Sequence, residues 1–253
     1  MLLVGLVMLS SCRREDSIRP IYPPQSIGIF SVSPTQQVSF STGNLQYVDG
    51  QWNFSRSQYD FWSYFVNTLW DHFGWSTSAT FCGMDTSTVG QDYLGVFADW
   101  GDDPSLVKSL GDGWRTLSSN EWNYLLHVRS VGGGTGKGHS YDFDTVAGVF
   151  GLLLYPDDYS DFDRVTSYAV VPDDCVFLPA AGIRMGRQMQ RPFGGYYWAS
   201  DYDGFNNNCA YAFVFESTVD PETNKPVYSF QPQHTIMPRS YGASVRLVRD
   251  IAK

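Results

Sequence analysis

The segments FLPAAG (177–182), GYYWAS (195–200), AYAFVF (210–215) and ASVRLVR (243–249) decide the fold that this sequence predicts. The runs are short and mostly aromatic or aliphatic, and clusters of Gly, Pro, Asn and Asp separate them. This pattern is typical of short β-strands joined by loops. Two of the loops, residues 201–209 and 216–242, carry polar and aromatic side chains that have no evident place in a core. Because loops held on strands often form recognition surfaces, the pattern favours a binding role.

Composition limits the class of protein. The chain has 253 residues, of which 43% are hydrophobic and 16% aromatic, enough to fill a sizeable core. So many aromatic residues occur in secreted β-rich and carbohydrate-facing proteins, but a large aromatic core is the preferred explanation. The formal net charge of -9 repels phosphate backbones, so nucleic acid is not expected as a partner.

The first residues predict a lipid anchor. The run MLLVGLVML (1–9) is apolar, has the length of a signal peptide and is too short to span a bilayer. It leads into Ser10, Ser11 and Cys12, which resemble the lipobox of bacterial lipoproteins, where small residues precede a cysteine that is lipidated. A buried N-terminal strand with an ordinary cysteine is the alternative. We expect a signal peptide over 1–12, ending at lipidated Cys12, a Pro-rich tether over 13–26 and one domain over 27–253.

From residue 27 onward the pattern is that of strands. IGIFSV (27–32), QVSF (37–40), LQY (45–47) and QWNF (51–54) are expected strands, and the Asp49-Gly50 pair predicts a hairpin between the last two. The run VFGLLLY (149–155) predicts a buried strand. Residues 59–75 contain many aromatic side chains at mixed spacing, which fits either a helix or a buried loop.

A helix is predicted over residues 119–129. Ser118 and Glu121 stand three positions apart, the spacing of a capping box, and Trp122, Leu125 and Leu126 form an apolar stripe. We expect Trp122 to pack this helix onto a sheet built from the C-terminal strands.

Five segments in a fixed order resemble a known family. They are WRTLSSNEW (114–122), LLLYPDD (152–158), FLPAAG (177–182), YWAS (197–200) and SVRLVR (244–249). They are similar to surface proteins abundant in gut Bacteroidetes, which belong to the formylglycine-generating-enzyme branch of the C-type lectin fold. The resemblance covers residues from about 27 to the C-terminus and implies a single α+β domain of the C-type lectin kind. Some relatives are variable proteins of diversity-generating retroelements, which display hypermutated ligand-contacting residues near the C-terminus, and others are surface lipoproteins.

The loops near the C-terminus contain the residues expected to contact a protein or glycan ligand. Aromatic, Arg and Asn side chains are common in recognition surfaces, and these lie between strands at positions matching those of the variable relatives. A run of Asn is also ordinary turn composition, and some aromatic residues, Tyr241 first, can simply cover the end of a sheet. The expected ligand-binding residues are Tyr202, Asp203, Phe205, Asn206, Asn207, Asn208, His234, Arg239 and Tyr241.

The cysteines bear on enzymatic activity. Oxidase members of the resembling branch use a pair of cysteines near the C-terminal end, where this chain has only Cys209, with Cys175 before the core strands. This departure disfavours oxidase chemistry. If Cys12 is lipidated, Cys82, Cys175 and Cys209 remain, which form either one disulfide, with Cys175 and Cys209 as the expected pair, or none.

No metal or other cofactor is expected, although one acidic cluster was weighed as a calcium site. Calcium takes oxygen ligands, which the carboxylates could supply, but Pro-Asp-Asp after an apolar strand also caps the strand and starts a turn. The turn is the preferred interpretation. Metal-ligand spacing is absent among the histidines. The acidic residues are Asp157, Asp158, Asp161 and Asp163, and the histidines are His72, His127, His139 and His234.

The leading hypothesis is a non-catalytic, lipid-anchored binding protein of the bacterial cell envelope, at the outer membrane or cell surface. One alternative is an envelope enzyme, either degenerate and oxidase-like or hydrolytic. Another is a structural component of an envelope or fimbrial assembly. The lack of a C-terminal cysteine pair favours binding over oxidase chemistry, and residues 13–25 are too short and Pro-rich to suggest a donor strand.

The lipid anchor can be tested at Cys12. We expect metabolic palmitate labelling and membrane association in the wild type, and the loss of both in Cys12→Ala, because the acyl chains attach through this thiol. Cys82→Ala is the matched control and should keep both properties. A Cys12→Ala protein that is labelled and membrane-bound like the wild type would show that the lipobox prediction is wrong.

Overall fold

The computed structural model describes residues 25–131, 140–160, 169–190, 194–202, 204–216, 218–219, 226–227 and 233–251. Within these residues the protein is built mostly of short strands with few helices, so the expected α+β class is confirmed. None of the helices in the described part is long and apolar enough to cross a membrane. Cys12 and the predicted tether lie outside the described residues, apart from the last two tether positions.

The elements follow one another in chain order. The strands are β1 (Ser26–Ser31), β2 (Gln37–Ser41), β3 (Leu45–Val48), β4 (Gln51–Phe54), β5 (Leu69–Trp70), β6 (Trp114–Arg115), β7 (Tyr141–Val146), β8 (Val149–Leu154), β9 (Val176–Pro179), β10 (Ile183–Met185), β11 (Gln188–Gln190), β12 (Gly194–Tyr202), β13 (Cys209–Glu216), β14 (Thr218–Val219), β15 (Pro226–Val227), β16 (Gln233–Pro238), β17 (Tyr241–Gly242) and β18 (Val248–Ile251). The helices are α1 (Pro104–Leu110) and α2 (Ser119–Asn123), with a π-helical turn at Tyr124–Val128 and short 3-10 turns at Phe81–Gly83, Gly90–Tyr93 and Trp100–Asp102.

The strands pair in small sheets. The first and last strands meet in the sheet β1-β2-β18-β6, and the C-terminal half contributes β12-β13-β16 and β11-β10-β17. The other sheets among the described residues are β4-β3-β5, β7-β8-β9 and the hairpin β14-β15. Because β18 pairs with both β2 and β6, the two ends of the domain are joined by backbone hydrogen bonds.

Strand β12 lies between the two main hydrophobic clusters. Side chains alternate across a strand, so Tyr196 and Trp198 enter one cluster while Tyr197 and Ala199 enter the other. All four are buried. This explains why GYYWAS has no polar face: both sides of the strand are covered.

Several local predictions are confirmed. The strands expected at 27–32, 37–40, 45–47 and 51–54 are β1 to β4, and VFGLLLY contains β8. The β3-β4 hairpin turns at Asp49 and Gly50, whose φ angles of 48° and 87° are the left-handed values that such a two-residue turn requires. Ser118 and Glu121 form the expected capping box, and Trp122 is buried in the second cluster.

The helix expected over 119–129 is present over 119–128, although only α2 is α-helical and the rest is a π-helical turn, which ends at the extended ψ of Arg129, 150°. The expectation of a single sheet is wrong, because β9 pairs with β8 and β18 pairs with β2, while β12 and β13 pair with each other. Strand patterns do not specify partners. Residues 59–75, whose spacing fits either a helix or a buried loop, are mostly loop apart from β5.

The burial of Trp122 gives a stability prediction. Its ring stacks on Phe213 with centroids 4.9 Å apart, and its indole N–H has no hydrogen-bond partner among the described residues. Trp122→Ala should lower the free energy of unfolding by about 3–5 kcal/mol, as expected for removing a buried aromatic ring. Trp122→Phe should cost less than half as much, since it keeps a ring and removes the unpaired N–H. Urea denaturation measures both, and an unchanged midpoint for Trp122→Ala would contradict the core assignment.

Candidate functional site

The segment 202–208, which comprises the last residue of β12 and the loop between β12 and β13, is fixed at its start by helix α2. Asp201 accepts a hydrogen bond from the Ser119 backbone N–H at 2.7 Å and another from the Ser119 hydroxyl. A carboxylate at this position also complements the unpaired N–H groups at the beginning of the helix. The loop therefore leaves the sheet in a defined direction.

The end of the loop is held by its own asparagines. Asn206 accepts from the backbone N–H of Asn208 through its side chain and from that of Cys209 through its carbonyl. The carbonyl of Asn208 accepts from the Arg239 backbone N–H at 2.9 Å, and its side-chain oxygen accepts from Gln91 at 3.4 Å. These contacts fix the end of the loop, while residues 204–208 all remain exposed.

Arg239 supports the loop from below. Its guanidinium contacts two aromatic rings that meet edge to face, and lies 4.3 Å from the centroid of Trp75 and 4.6 Å from that of Tyr202. It also donates to the carbonyl oxygens of Tyr93 and Gly95. Burial lowers the pKa of Arg239, yet an arginine stays charged at neutral pH, so the cation–π contacts persist.

Several exposed apolar side chains lie on the segments that Arg239 and Asn208 connect. Phe205 is fully exposed, and Tyr202, Val89 and Val96 are also exposed. Asn208 connects the loop to the turn at Gly90, where a Cβ would lie 3.2 Å from the Asn208 side-chain oxygen, and Arg239 connects it to Gly95. We call this area the loop surface, and it comprises Tyr202, Phe205, Asn206, Asn207 and Asn208 with Val89, Gln91 and Val96.

The structure brings together most, but not all, of the residues expected to bind ligand. Arg239 reaches the loop surface but is only 2% exposed, so it holds Tyr202 rather than facing solvent. Tyr241 lies in β17 opposite Met185 and packs against the first hydrophobic cluster. His234 belongs to β16, where its backbone pairs with Phe213, and its side chain is outside the described part, as is Asp203.

The sequence analysis did not predict that residues from the segment before α1 form part of the loop surface. Val89, Gln91 and Val96 come from the segment before α1, far from the loop along the chain, and no motif marks them. Trp75 could have been suspected because it ends the aromatic-rich stretch. Its ring is completely buried, 4.9 Å from that of Phe97, and its N–H donates to the Ala199 carbonyl.

Cys82 and Cys175 are poor nucleophiles. Cys82 and Cys175 carry free thiols, so the pair expected between Cys175 and Cys209 is not formed. Burial raises the pKa of Cys175 to about 12, helped by Asp174 and Asp173. Burial also raises the pKa of Cys82, and its thiol donates to Asp103. At neutral pH both remain protonated, the unreactive form.

Metal ligands do not gather in the described residues. They contain no group of three or more His, Cys, Asp and Glu side chains that could hold an ion. Buried His72 hydrogen-bonds to Asp71 and to the Ala181 carbonyl. His139 lies outside the described residues.

The acidic turn has a structural partner. Asp157 accepts hydrogen bonds from Arg129 at 2.9 Å, from Gln37 at 3.0 Å and from the backbone and hydroxyl of Ser31. Arg129 is buried, and burial lowers its pKa to about 10. The carboxylate thus offsets a buried cation. Asp158 is exposed, and Asp161 and Asp163 lie outside the described part.

Comparisons with protein-family models, with curated proteins and with solved structures found no match to this chain. Family membership therefore stays a proposal.

The Arg129–Asp157 pair predicts how stability depends on pH. Burial alone would raise the pKa of Asp157, but the bonds from Ser31, Gln37 and Arg129 lower it below its usual value. Asp157 therefore stabilises the fold above pH of about 4, and this contribution is lost as pH falls through its lowered pKa. Asp157→Asn should cost about 3 kcal/mol at pH 7, because it leaves a buried cation unpaired.

The matched control is Asp158→Asn, which removes an exposed neighbouring carboxylate and should cost far less. Urea denaturation between pH 2 and pH 7 follows both variants, and the difference between wild type and Asp157→Asn should shrink in acid. A difference that stays constant across this range would contradict the assigned pair.

Proposed function

We propose that this protein is a non-catalytic binding protein, tethered to the bacterial cell envelope, whose loop surface contacts a protein or glycan ligand. The observation that carries the proposal is the fully exposed ring of Phe205 on a loop that is hydrogen-bonded on both sides. Aromatic residues are enriched among the side chains that contribute most of the energy of binding interfaces, so an exposed ring on an ordered loop is the kind of group that contacts a ligand.

The support beneath the loop agrees with recognition. A ligand binds more tightly when the contacting groups do not have to be ordered first. The contacts of Arg239 with the rings of Trp75 and Tyr202, together with the Asn206 hydrogen bonds, supply this order. The exposed side chains of Asn206, Asn207 and Asn208 add donors and acceptors that can adapt to different partners.

The C-type lectin fold belongs to the same proposal. The five segments of the resemblance support it, and the α+β architecture is compatible with it. Retroelement-driven diversity of the 202–208 loop is proposed with it, since the tip lies outside the core and can change without unpacking it. Anchoring through Cys12 would place the domain at the outer membrane or cell surface.

Two observations favour binding over an oxidase-like or hydrolytic activity. The pKa values of the Cys82 and Cys175 thiols are raised, which opposes thiolate chemistry. Asp157, the first carboxylate of the acidic cluster, is paired with Arg129 and is therefore occupied structurally. For an assembly role in place of ligand binding, no described contact gives comparable support.

The loop surface can be tested by substitution. Wild-type protein is screened on glycan and protein arrays, and the strongest ligand is titrated against Phe205→Ala. We expect at least a tenfold weaker affinity, because a central aromatic contact commonly contributes about 2 kcal/mol. Val170→Ala is the control, since Val170 is also exposed but belongs to the turn before β9. Arg239 is left intact because its removal would disturb the support.

Equal affinities of wild type and folded Phe205→Ala for the strongest ligand would place its site elsewhere. Near-ultraviolet circular dichroism establishes that the variant is folded.

A further inference from the structure

A second concave site lies at the loop after β4. The cleft has a volume of about 540 Å³, and its lining includes Gln46, Arg56, Tyr59, Asp60, Phe61 and Trp62. Val149, at the start of β8, forms part of the opposite wall. None of these residues belongs to the loop surface, so the cleft is a separate feature of the molecule.

Gln46 is one of the polar residues that line this cleft. The residue is only 8% exposed, and its amide makes no hydrogen bond to any part of the chain that the structure describes. Because Gln46 lines the cleft, its amide N–H and C=O groups can donate to and accept from a ligand bound there.

Aromatic rings supply the apolar contact area. Phe61 and Trp62 are half-buried, and so is Tyr59, which packs against the third hydrophobic cluster around Val146 and Phe177. Within the described residues these three rings do not stack on one another, so each can offer a face to a ligand. The face of an aromatic ring is negative and attracts partly positive C–H groups, such as those along one side of a pyranose.

The charges in the cleft balance. Arg56 is exposed and makes no ion pair or hydrogen bond within the described residues. Asp60 accepts a hydrogen bond from the Ser57 backbone N–H through one carboxylate oxygen, and its other oxygen has no partner in the described part. One cation and one anion suit an uncharged ligand, and the formal charge of -9 on the whole chain disfavours polyanions.

Hydrogen bonds to the rest of the fold hold the loop that lines the cleft. The Trp62 backbone N–H donates to Asp71 at 2.6 Å, and the Asp60 N–H donates to the Ser57 carbonyl at 3.1 Å. Gln58 attaches the loop to β9 by bonds to Cys175 and Phe177. A preformed cleft with aromatic walls and a few convergent polar groups is the usual form of a small-ligand site.

We propose that this cleft binds the pyranose rings of a neutral oligosaccharide. In this site Trp62 and Phe61 pack against sugar faces, while Gln46, Asp60 and Arg56 bond to hydroxyl groups. A hydroxyl both donates and accepts, so it can pair with the amide, the carboxylate and the guanidinium alike. This proposal does not depend on the loop surface, whose residues are not involved.

The test is isothermal titration calorimetry of the full chain with maltohexaose, cellohexaose, mannohexaose and N-acetylchitohexaose, each up to about 10 mM, a range that detects millimolar affinities. We expect saturable binding of at least one, and at least tenfold weaker binding to Trp62→Ala. Tyr64→Ala is the matched control because Tyr64 is an exposed aromatic two positions away that does not line the cleft. Its affinity should equal that of the wild type.

Two further variants guard against a folding defect in Trp62→Ala. Arg56→Ala changes an exposed side chain without partners in the described residues, and Gln46→Leu keeps the size of a buried one. Both should weaken binding severalfold while leaving the melting temperature close to that of the wild type. Phe205→Ala should bind the hexasaccharide normally, which separates this site from the loop surface.

Several outcomes would overturn the proposal. They are the absence of binding by all four hexasaccharides, unchanged affinity in both Trp62→Ala and Arg56→Ala, or loss of binding in Tyr64→Ala. Tighter binding of hexagalacturonate would show that the ligand is anionic, and saturation by tetramethylammonium alone would show that the rings form a cation site. Each of these results rejects a neutral sugar.

Discussion

Arg246 lies completely within the protein, and the oxygens to which it donates belong to side-chain amides rather than carboxylates. Its guanidinium bonds to Gln58 at 2.6 Å and to Asn44 at 3.4 Å. Burial lowers the pKa of Arg246 to about 10, so it is still a cation at neutral pH. A buried charge is costly unless its donors find acceptors, and Gln58 and Asn44 accept from the two terminal nitrogens of Arg246, while its Nε–H has no partner among the described residues. Gln58 also accepts from the Phe177 N–H and donates to the Cys175 carbonyl. These bonds therefore fix three parts of the chain against one another: the segment that contains Arg246, the loop after β4, and strand β9.

Other buried arginines donate hydrogen bonds to backbone carbonyl groups that do not pair within a sheet. Much of the chain runs as irregular backbone packed against aromatic side chains, and its carbonyl groups lack partners in a sheet. Arg184, only 1% exposed, donates to the carbonyls of His72, Asp85 and Gly186 and lies 5.0 Å from the ring centroid of Trp70. Arg239 serves the loop surface in the same way. The fixed fork of a guanidinium reaches several carbonyls at once, which the single ammonium of a lysine cannot match.

The sequence predicted what depends on neighbouring residues. The Asp49-Gly50 hairpin, the Ser118–Glu121 capping box and the strands β1 to β4 follow from local conformational preferences and are present. The pairing of the strands could not be predicted, because the partners of β9 and β18 are determined by contacts between residues far apart along the chain. The cleft was hidden for a similar reason: its aromatic residues line an irregular loop, so they show neither helical nor strand periodicity. Nor does a charged residue in SVRLVR indicate that Arg246 is buried.

The loop surface and the cleft are held in place in a similar way. The tip of the 202–208 loop rests on Arg239, and the cleft loop is joined through Gln58 to Arg246, so each contact surface is carried by a buried guanidinium. A change at Phe205 or Arg56 removes contacts with solvent or ligand and leaves these supports intact. Replacing Arg239 or Arg246 would leave several buried polar groups without hydrogen-bond partners. Each such group lowers the free energy of unfolding by about 1–3 kcal/mol. Sequence variation should therefore be tolerated at the contact residues and opposed at the arginines beneath them, which is the condition under which one scaffold can serve different ligands.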